Sequence, residues 1–232
     1  MPARARDATG PMTRIPWKQA VGIPLNVAAF VLLMALAWGD PRAFFAHPVR
    51  LAMTALLVVS APVMTLCTGG RSRGVRHAPD HREFFPLLVF HTLFTAVALP
   101  WMDARGLWVL PGGDALRWAG LAVFAAGVVW RLGPMIELGP RFVSVVALRE
   151  EHRLHTGGFY HAVRHPSYLG IFLMDVGFAC IFRSPIALLL LPLVFWMFQR
   201  RMDVEERLLL EQFGDEYRDY MARTARVLPG VW

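Results

Sequence analysis

Six apolar runs, each long enough or nearly long enough to cross a lipid bilayer, constrain this chain more than any other feature. They cover residues 22–38, 49–67, 84–101, 116–138, 166–182 and 185–199. One helical crossing of a bilayer takes about 20 apolar residues. Because lipid offers backbone N–H and C=O groups no hydrogen-bond partner, each run must be a helix. The sequence therefore predicts an all-α, polytopic integral membrane protein with about six transmembrane helices.

The last two runs are short, and only Arg183 and Ser184 separate them. This spacing predicts a tight helical hairpin. Pro62, Pro134 and Pro192 lie inside three of the runs, where a missing N–H and a bulky ring predict kinks.

The basic residues fall unevenly on the two sides of these runs. The net charge of +7 is typical of a nucleic-acid binder, but hydrophobic residues make up 56% of the chain. In such a chain, basic residues are better explained as determinants of membrane topology, so no nucleic-acid partner is expected. Six crossings place 18 of the 24 basic residues on the side that holds residues 1–21, 68–83, 139–165 and 200–232. The positive-inside rule predicts that this side and both termini are cytoplasmic.

A predicted cytoplasmic stretch before the fifth run is rich in residues that carry chemistry. It reads H-R-L-H-T-G-G-F-Y-H-A-V-R-H-P-S-Y-L-G over residues 152–170. Gly157 and Gly158 allow a tight turn and the close approach of a ligand. Pro166 suits the first turn of a helix, where nearby amide groups favour an anion. The pattern predicts a ligand site on the cytoplasmic face.

A second informative stretch follows the sixth run. Arg201 and Glu205 are four residues apart, so they share one face of a helix. Leu208, Phe213 and Tyr217 continue as an apolar stripe, which is typical of an amphipathic helix at the membrane surface. That reading suits the C-terminal helix as a whole. It does not explain why Arg201 and Glu205 stand where the sixth helix leaves the membrane.

Together, R-H-P-S-Y-L-G, R-M-D-V-E-E-R and F-G-D-E-Y-R-D-Y, in this order, resemble the isoprenylcysteine carboxyl methyltransferase family, within the wider group of membrane phospholipid methyltransferases. The resemblance covers roughly residues 138–232, about two fifths of the chain. It implies that residues 116–232 form a catalytic core of three spans, a cofactor loop and a C-terminal helix. Residues 1–115 then form three N-terminal membrane helices, the part in which family members differ most.

The resemblance implies a membrane enzyme that uses S-adenosylmethionine without a Rossmann domain, and the chain carries no strand-G-x-G-x-x-G-helix unit. Carried over position by position, it assigns Arg201 to the substrate and Glu205 to the cofactor, with both at the catalytic centre. The other positions that it assigns to the cofactor are His152, Leu154, His155, Tyr160, His165, Pro166, Ser167 and Tyr168. His155 departs from the family pattern, which usually has a small or branched apolar residue there.

Three further charged residues lie inside or at the end of apolar runs. An acid within a membrane helix is costly and usually functional, so Asp175 is a candidate contact for the methyl acceptor. It is alternatively a structural partner of Arg131. Arg131 and Glu137 either pair with each other and snorkel toward the cytoplasm or line the pocket. His165 and the following helix start are expected to hold the methionyl carboxylate of the cofactor.

The acceptor stays open at this point. The resemblance favours carboxyl O-methylation of an isoprenylcysteine or another lipophilic or prenylated acceptor that arrives from the bilayer, with membrane lipids as surroundings. A phospholipid N-methyltransferase and a small-thiol S-methyltransferase are alternatives. More remote are an NADPH-dependent enzyme of the sterol-reductase type and a non-catalytic membrane accessory protein. A metal site is not expected, because the histidines lack a cysteine pair or an H-E-x-x-H arrangement.

Overall fold

The computed structural model describes residues 17–68, 75–77, 85–139, 147–149 and 154–230. Nine α-helices lie in these ranges. They are α1 (Trp17–Trp38), α2 (Pro41–Ala46), α3 (Pro48–Thr68), α4 (Phe85–Leu93), α5 (Leu99–Ala104), α6 (Gly113–Leu138), α7 (Pro166–Ile181), α8 (Pro185–Phe213) and α9 (Asp215–Arg223). A π-helical turn, Phe94–Ala98, joins α4 to α5 in one continuous helical segment.

The predicted fold class is confirmed, since every apolar run is helical. Five segments are long and apolar enough to cross a membrane, and the fifth predicted span, α7, is a shorter apolar helix of 16 residues. At 1.5 Å per residue, α7 is about 24 Å long, somewhat less than a bilayer core. Large apolar side chains such as Leu32, Val59 and Leu189 are exposed on the outer faces of the helices. The chain is an integral membrane protein.

Helix α8 differs from the prediction in its length. The sixth run and the start of the predicted C-terminal helix form one helix of 29 residues, which ends at Phe213. Gly214, with a φ of +54°, then turns the chain into the short amphipathic α9. Arg201 and Glu205 therefore lie on a continuation of a membrane helix rather than at its end.

Helices α6 and α7 pack at unusually short range through glycines spaced seven residues apart. A Cβ atom at Gly170 of α7 would lie 2.3 Å from the backbone nitrogen of Arg131, and one at Gly177 would lie 2.6 Å from Cβ of Phe124. Gly120 and Gly127 are equally crowded from the α6 side. Small residues let membrane helices approach until their backbones touch. This contact fixes the start of α7 against the end of α6.

The apolar core lies between α1, α3, α6 and α7. Phe124, Phe178 and Phe182 are buried there, and the rings of Phe124 and Phe178 meet edge to face at 4.9 Å. Because Gly177 lies beside Phe124, the two rings can pack without separating the helices. The core thus holds the N-terminal helices against the α6–α7 pair.

One end of the bundle is closed by an ionic group that we call the Asp103 cluster, formed by Asp103, Arg117 and Arg183. Arg117 donates to both carboxylate oxygens of Asp103, at 2.6 and 2.9 Å, and Arg183 donates to one of them at 2.9 Å. Arg117 also donates to the carbonyl of Ile181 at 2.5 Å. The carboxylate of Asp103 has no exposed surface. The cluster ties α5, α6 and the α7–α8 turn together.

At the other end, short backbone pairings organise the connections between helices. Val75–His77 pairs antiparallel with Ala147–Arg149, and this small ladder joins the connection after α3 to the one after α6. It adds a minor strand pair that was not predicted to a fold that is otherwise helical. Val163 pairs with Ala225 in a parallel bridge, so the C-terminal segment returns to the loop that precedes α7.

Candidate functional site

The predicted pair Arg201 and Glu205 lies on α8 beside the first turn of α7. Tyr168 of α7 donates its hydroxyl to Oε1 of Glu205 at 2.5 Å, and Nε of Arg201 lies 3.5 Å from the same oxygen. The guanidinium of Arg201 lies 5.9 Å from the centre of the Tyr168 ring. We call His165, Tyr168, Arg201 and Glu205 the Glu205 cluster. It brings together residues from both predicted motifs.

His165 lies directly before α7 and is enclosed by two carboxylates. Its Nδ1 is 3.5 Å from Oε2 of Glu205, and its Nε2 is 3.0 Å from Oε1 of Glu206. Burial acts to lower the pKa of His165, but hydrogen bonds and charges from both glutamates outweigh it and raise the pKa above its ordinary value. Both ring nitrogens therefore have acceptor-only neighbours, which favours the doubly protonated ring.

Glu206 is a residue that the sequence prediction missed. Its carboxylate accepts from Nε of Arg164 at 3.1 Å and from Nε of Arg226 at 3.2 Å, in addition to its contact with His165. Arg226 also donates to Asp203 at 2.6 Å. The adjacent E-E pair was visible in the motif, but the arginine from the C-terminal segment could be placed only by the fold.

The loop before α7, described from residue 154 to residue 165, packs over the end of α6. Nε2 of His155 lies 2.6 Å from Oε1 of Glu137, and the backbone N–H of Phe159 donates to Oε2 at 2.9 Å. Gly158 adopts a φ of +50°, and a Cβ atom there would lie 2.0 Å from Oε1 of Glu137. Only glycine permits this approach. The carboxylate of Glu137 thus holds the predicted cofactor loop, and the unusual His155 contributes its side chain to that contact.

Tyr160 connects this loop to α9 and adjoins the Glu205 cluster. Its carbonyl accepts from the hydroxyl of Tyr220 at 2.6 Å. Burial, followed by the charges of Glu137, Tyr220 and Glu205, raises the pKa of the Tyr160 phenol well above its ordinary value. The Tyr160 phenol therefore stays neutral, and its ring lies 5.7 Å from that of His155 on the same loop.

The start of α7 is fixed by a hydrogen bond to α6. Arg131 donates from Nη1 to Oγ of Ser167 at 2.6 Å, and both Pro166 and Ser167 are buried. The amides of Tyr168 and Leu169 donate to the carbonyl of His165 at 3.1 and 3.4 Å. These two amides are therefore not available to an anion, contrary to the prediction. The expected anion site at this helix start therefore has fewer amides and a histidine that is already bound to carboxylates.

Asp175 lies apart from the Glu205 cluster. Its Oδ1 is 3.4 Å from Nε2 of His91 on α4, so its ionic partner is His91 and not Arg131, the alternative that the sequence had left open. Its Oδ2 is buried and has no hydrogen-bond partner among the residues that the structure describes. Seven residues separate Asp175 from Tyr168, so both lie on one face of α7, about 10 Å apart along the axis. The buried Oδ2 of Asp175 therefore lies further along α7, on the face that carries Tyr168.

Two predicted cofactor positions, His152 and Leu154, remain. His152 lies outside the described residues. Leu154 is half-buried in the loop that carries His155, and His161 is exposed. Within the described parts of the chain, histidine, cysteine, aspartate and glutamate form no group of three that would hold a metal ion.

The Glu205 cluster offers opposite charges side by side. Glu205 is 25% exposed and Arg201 41% exposed, whereas His165 behind them is only 5% exposed. A carboxylate suits an ammonium group or hydroxyls, and a guanidinium suits a carboxylate or phosphate. The arrangement can therefore hold a cationic group and an anionic group next to each other at the membrane surface.

Comparison with known proteins agrees with the motifs. Residues 118–211 match the model of the isoprenylcysteine carboxyl methyltransferase (ICMT) family. A protein-S-isoprenylcysteine O-methyltransferase of Schizosaccharomyces pombe is 34% identical over 112 residues, 47% of this chain and 48% of that protein. One of Mus musculus is 35% identical over 136 residues, 57% of this chain and 43% of that protein. The chain spans about half the length of the relatives that it matches.

A solved structure extends the similarity to most of the fold. It is titled the structure of the eukaryotic intramembrane Ras methyltransferase isoprenylcysteine carboxyl methyltransferase without a monobody. It matches with a TM-score of 0.56 and 24% identity, over 88% of this chain and 75% of that chain. The resemblance that the three motifs indicated is confirmed, and the membrane fold is shared with that structure.

Proposed function

We propose that this protein is an S-adenosylmethionine-dependent methyltransferase that methylates the carboxylate of an isoprenylcysteine or a similar prenylated, lipophilic acceptor. The observation that carries the proposal is the Glu205 cluster, in which a partly exposed glutamate and a partly exposed arginine adjoin the loop that resembles the family's cofactor segment. The family match over residues 118–211 supports it, because that range includes every member of the cluster.

The residues around Glu205 fit an adenosyl sulfonium cofactor. S-adenosylmethionine supplies an electrophilic methyl group on a positively charged sulfur. Glu205 offers a carboxylate for the ammonium group or the ribose hydroxyls, and Tyr168 and the buried His165 hold that carboxylate in place. Leu154, His155 and Tyr160 lie on the adjoining loop. Because the rings of His155 and His165 already contact carboxylates, we assign them to orienting the site, and Pro166 and Ser167 to fixing the start of α7.

Arg201 is the proposed contact for the acceptor. Its guanidinium can bind a carboxylate through two hydrogen bonds, which turns one oxygen toward the methyl group. A carboxylate is already ionised at neutral pH, so no general base is required, and most of the rate enhancement then comes from positioning and from exclusion of water. Because an amine or thiol acceptor would need a general base, the site favours a carboxylate acceptor.

The two halves of the chain have different proposed parts in the enzyme. We propose that residues 116–232 are the catalytic core and that residues 1–115 contribute the membrane helices beside it; the contact of His91 of α4 with Asp175 of α7 supports this division. We propose that Asp175 meets the acceptor within the membrane. The excess of basic residues supports a cytoplasmic position for both termini and the Glu205 cluster.

Transfer of a labelled methyl group tests this proposal. Purified protein in detergent receives methyl-labelled S-adenosylmethionine with one of three acceptors: an N-acetyl prenylcysteine, phosphatidylethanolamine or a small alkyl thiol. We expect a base-labile methyl ester on the prenylcysteine alone. Label in phosphatidylethanolamine or the thiol would replace the proposed acceptor, and label in none of the three would contradict the proposed activity.

A further inference from the structure

Glu206 lies next to Glu205 in sequence but contacts the opposite side of His165. Successive residues on an α-helix point about 100° apart, so two adjacent glutamates cannot present their carboxylates to one point. Here the imidazole of His165 lies between the two carboxylates, with Nδ1 toward Glu205 and Nε2 toward Glu206. The result is a row of three groups in which Glu206 contacts the buried histidine and the histidine contacts the partly exposed Glu205.

Glu206 is itself firmly held. Arg164 and Arg226 both donate to its carboxylate, and its side chain is only 10% exposed. Arg164 in turn donates to the backbone carbonyls of Met221 and Thr224. The carboxylate of Glu206 is therefore fixed by three elements: the loop before α7, the end of α9 and the C-terminal segment.

We propose that Glu206 is a positioning residue for methyl transfer: by holding the imidazole of His165 it turns the other ring nitrogen toward Glu205 and fixes the carboxylate of Glu205 for the cofactor. This inference rests on the function proposed above. Glu206 touches neither cofactor nor acceptor in this arrangement and acts through His165 alone.

The competing explanation is that Glu206 merely attaches the C-terminal segment to α8. Asp203 provides a matched control, because it lies on the same helix and binds the same Arg226, at 2.6 Å, and no described contact joins it to His165. Replacing Asp203 by Asn weakens the attachment and leaves the row intact. Replacing Glu206 by Gln removes a negative charge from the attachment of the C-terminal segment and from the row.

The charge on His165 distinguishes the two explanations. Titratable and charged groups face the row from α7, from α8, from α9, from the loop before α7 and from the C-terminal segment; they are Tyr168, Arg201, Glu205, Glu206, Tyr217, Arg164 and Arg226. Of these, the two glutamates carry the negative charges next to the ring. Glu206→Gln should therefore lower the pKa of His165, whereas Asp203→Asn should leave it nearly unchanged.

The experiment is a pH titration of histidine ring carbons by NMR in detergent micelles, with the His165 resonance identified by its loss in the His165→Gln variant. We expect the His165 midpoint of Glu206→Gln to fall by on the order of one pH unit relative to the natural protein. Asp203→Asn should keep the natural midpoint. An unchanged midpoint in Glu206→Gln, or equal shifts in both variants, would overturn the inference.

A second readout measures the consequence for the cofactor. Calorimetry measures the affinity of the same variants for S-adenosylhomocysteine at a pH between the His165 midpoints of the natural protein and of Glu206→Gln. At this pH Glu206→Gln should bind several-fold more weakly than the natural protein. Asp203→Asn should bind with the natural affinity. Glu206→Asp keeps the charge and shortens the reach by one methylene. If Glu206→Gln does not fold, weaker binding by Glu206→Asp than by Asp203→Asn supports the inference, and equal binding contradicts it. Absence of binding by the natural protein would instead contradict the proposed function, while the NMR titration still tests the row.

Discussion

The Asp103 cluster and the Glu205 cluster are both ionic groups at the ends of the same helix pair, yet they differ in how completely their charges are matched. Asp103 has no exposed side-chain surface, and both of its oxygens accept from arginines at 2.6 to 3.1 Å. Glu205 is 25% exposed, and Nε of Arg201 lies 3.5 Å from its Oε1. The first group is closed, whereas the second is accessible and its arginine–carboxylate contact is longer.

How completely a charge is matched by its partners separates structural charges from functional ones better than burial alone does. A charge inside a membrane protein is costly wherever it lies, so its presence alone does not reveal its purpose. In the Asp103 cluster every charge is used to join helices. Beside the Glu205 cluster, Glu206 plays that structural part through its contact with His165, whereas Glu205 and Arg201 keep exposed surface.

The largest effect is expected from opening the closed cluster. Asp103→Ala leaves Arg117 and Arg183 without their carboxylate in a buried site, which should cost about 3 to 5 kcal/mol of stability. Thermal unfolding in detergent measures this loss. Affinity of the remaining folded protein for S-adenosylhomocysteine should stay unchanged, and a selective loss of affinity without destabilisation would abolish the distinction between the two clusters.

The accessible cluster should respond in the opposite way. Glu205→Gln removes a charge-assisted hydrogen-bond acceptor from the proposed cofactor site, so affinity for S-adenosylhomocysteine should fall by about 1.5 to 3 kcal/mol. The unfolding temperature should change little. Glu211→Gln is the matched control, since Glu211 is an exposed glutamate farther along the same helix. Equal affinity in both variants would count against the site.

Arg201 tests the acceptor half of the accessible cluster. Arg201→Lys keeps the positive charge but loses the planar, two-pronged donor, so the KM for a prenylcysteine acceptor should rise roughly tenfold, by the cost of about one hydrogen bond to a charged group. Cofactor affinity should hold. Arg200→Lys alters the neighbouring arginine, which packs on Trp196 instead, and serves as the control. A similar KM in both variants would remove Arg201 from the acceptor site.

Asp175 is intermediate between the two clusters, because one oxygen pairs with His91 and the other is buried with no partner in the described part of the chain. If it meets the acceptor as proposed, Asp175→Asn should raise the KM for the acceptor roughly threefold to tenfold, the cost of about one hydrogen bond. Steady-state kinetics with a prenylcysteine substrate measure it. A drop in unfolding temperature with an unchanged KM would assign Asp175 to the structural class.

The smallest effect concerns pH. The folded pKa of His165 is raised above its unfolded value of about 6.5, so its contribution to stability is complete below that value and is lost as the pH rises through the folded pKa. One proton accounts for at most about 1.4 kcal/mol per pH unit. His165→Gln should flatten the decline of stability above pH 6.5, and replacing the exposed His161 by Gln should not. Parallel declines in all three proteins would contradict this.

Much of the fold and part of the site followed from local sequence. Apolar runs specify membrane helices because backbone groups in lipid have no other choice, and the four-residue spacing of Arg201 and Glu205 already puts them on one helix face. The partners contributed by distant elements were out of reach. Arg226 reaches Glu206 only because the C-terminal segment pairs with residue 163, and Asp175 meets His91 only because α4 packs near α7.

The continuation of α8 and the closeness of α6 and α7 were missed for similar reasons. An apolar run ends at its last hydrophobic residue, but a helix continues as long as its backbone hydrogen bonds do. Helix α8 therefore extends well beyond residue 199, to Phe213. The seven-residue spacing of Gly120 and Gly127 facing Gly170 and Gly177 was readable, but small residues mark an interface without naming the partner helix.

The most direct test of the central claim, that the Glu205 cluster holds an adenosyl cofactor, is calorimetric titration of purified protein in detergent with S-adenosylhomocysteine and with NADPH. We predict that the natural protein, Glu211→Gln and the folded fraction of Asp103→Ala bind S-adenosylhomocysteine with similar affinity, that Glu205→Gln binds it at least about tenfold more weakly, and that none binds NADPH. Binding of NADPH alone, no binding of S-adenosylhomocysteine, or full affinity in Glu205→Gln would contradict the claim.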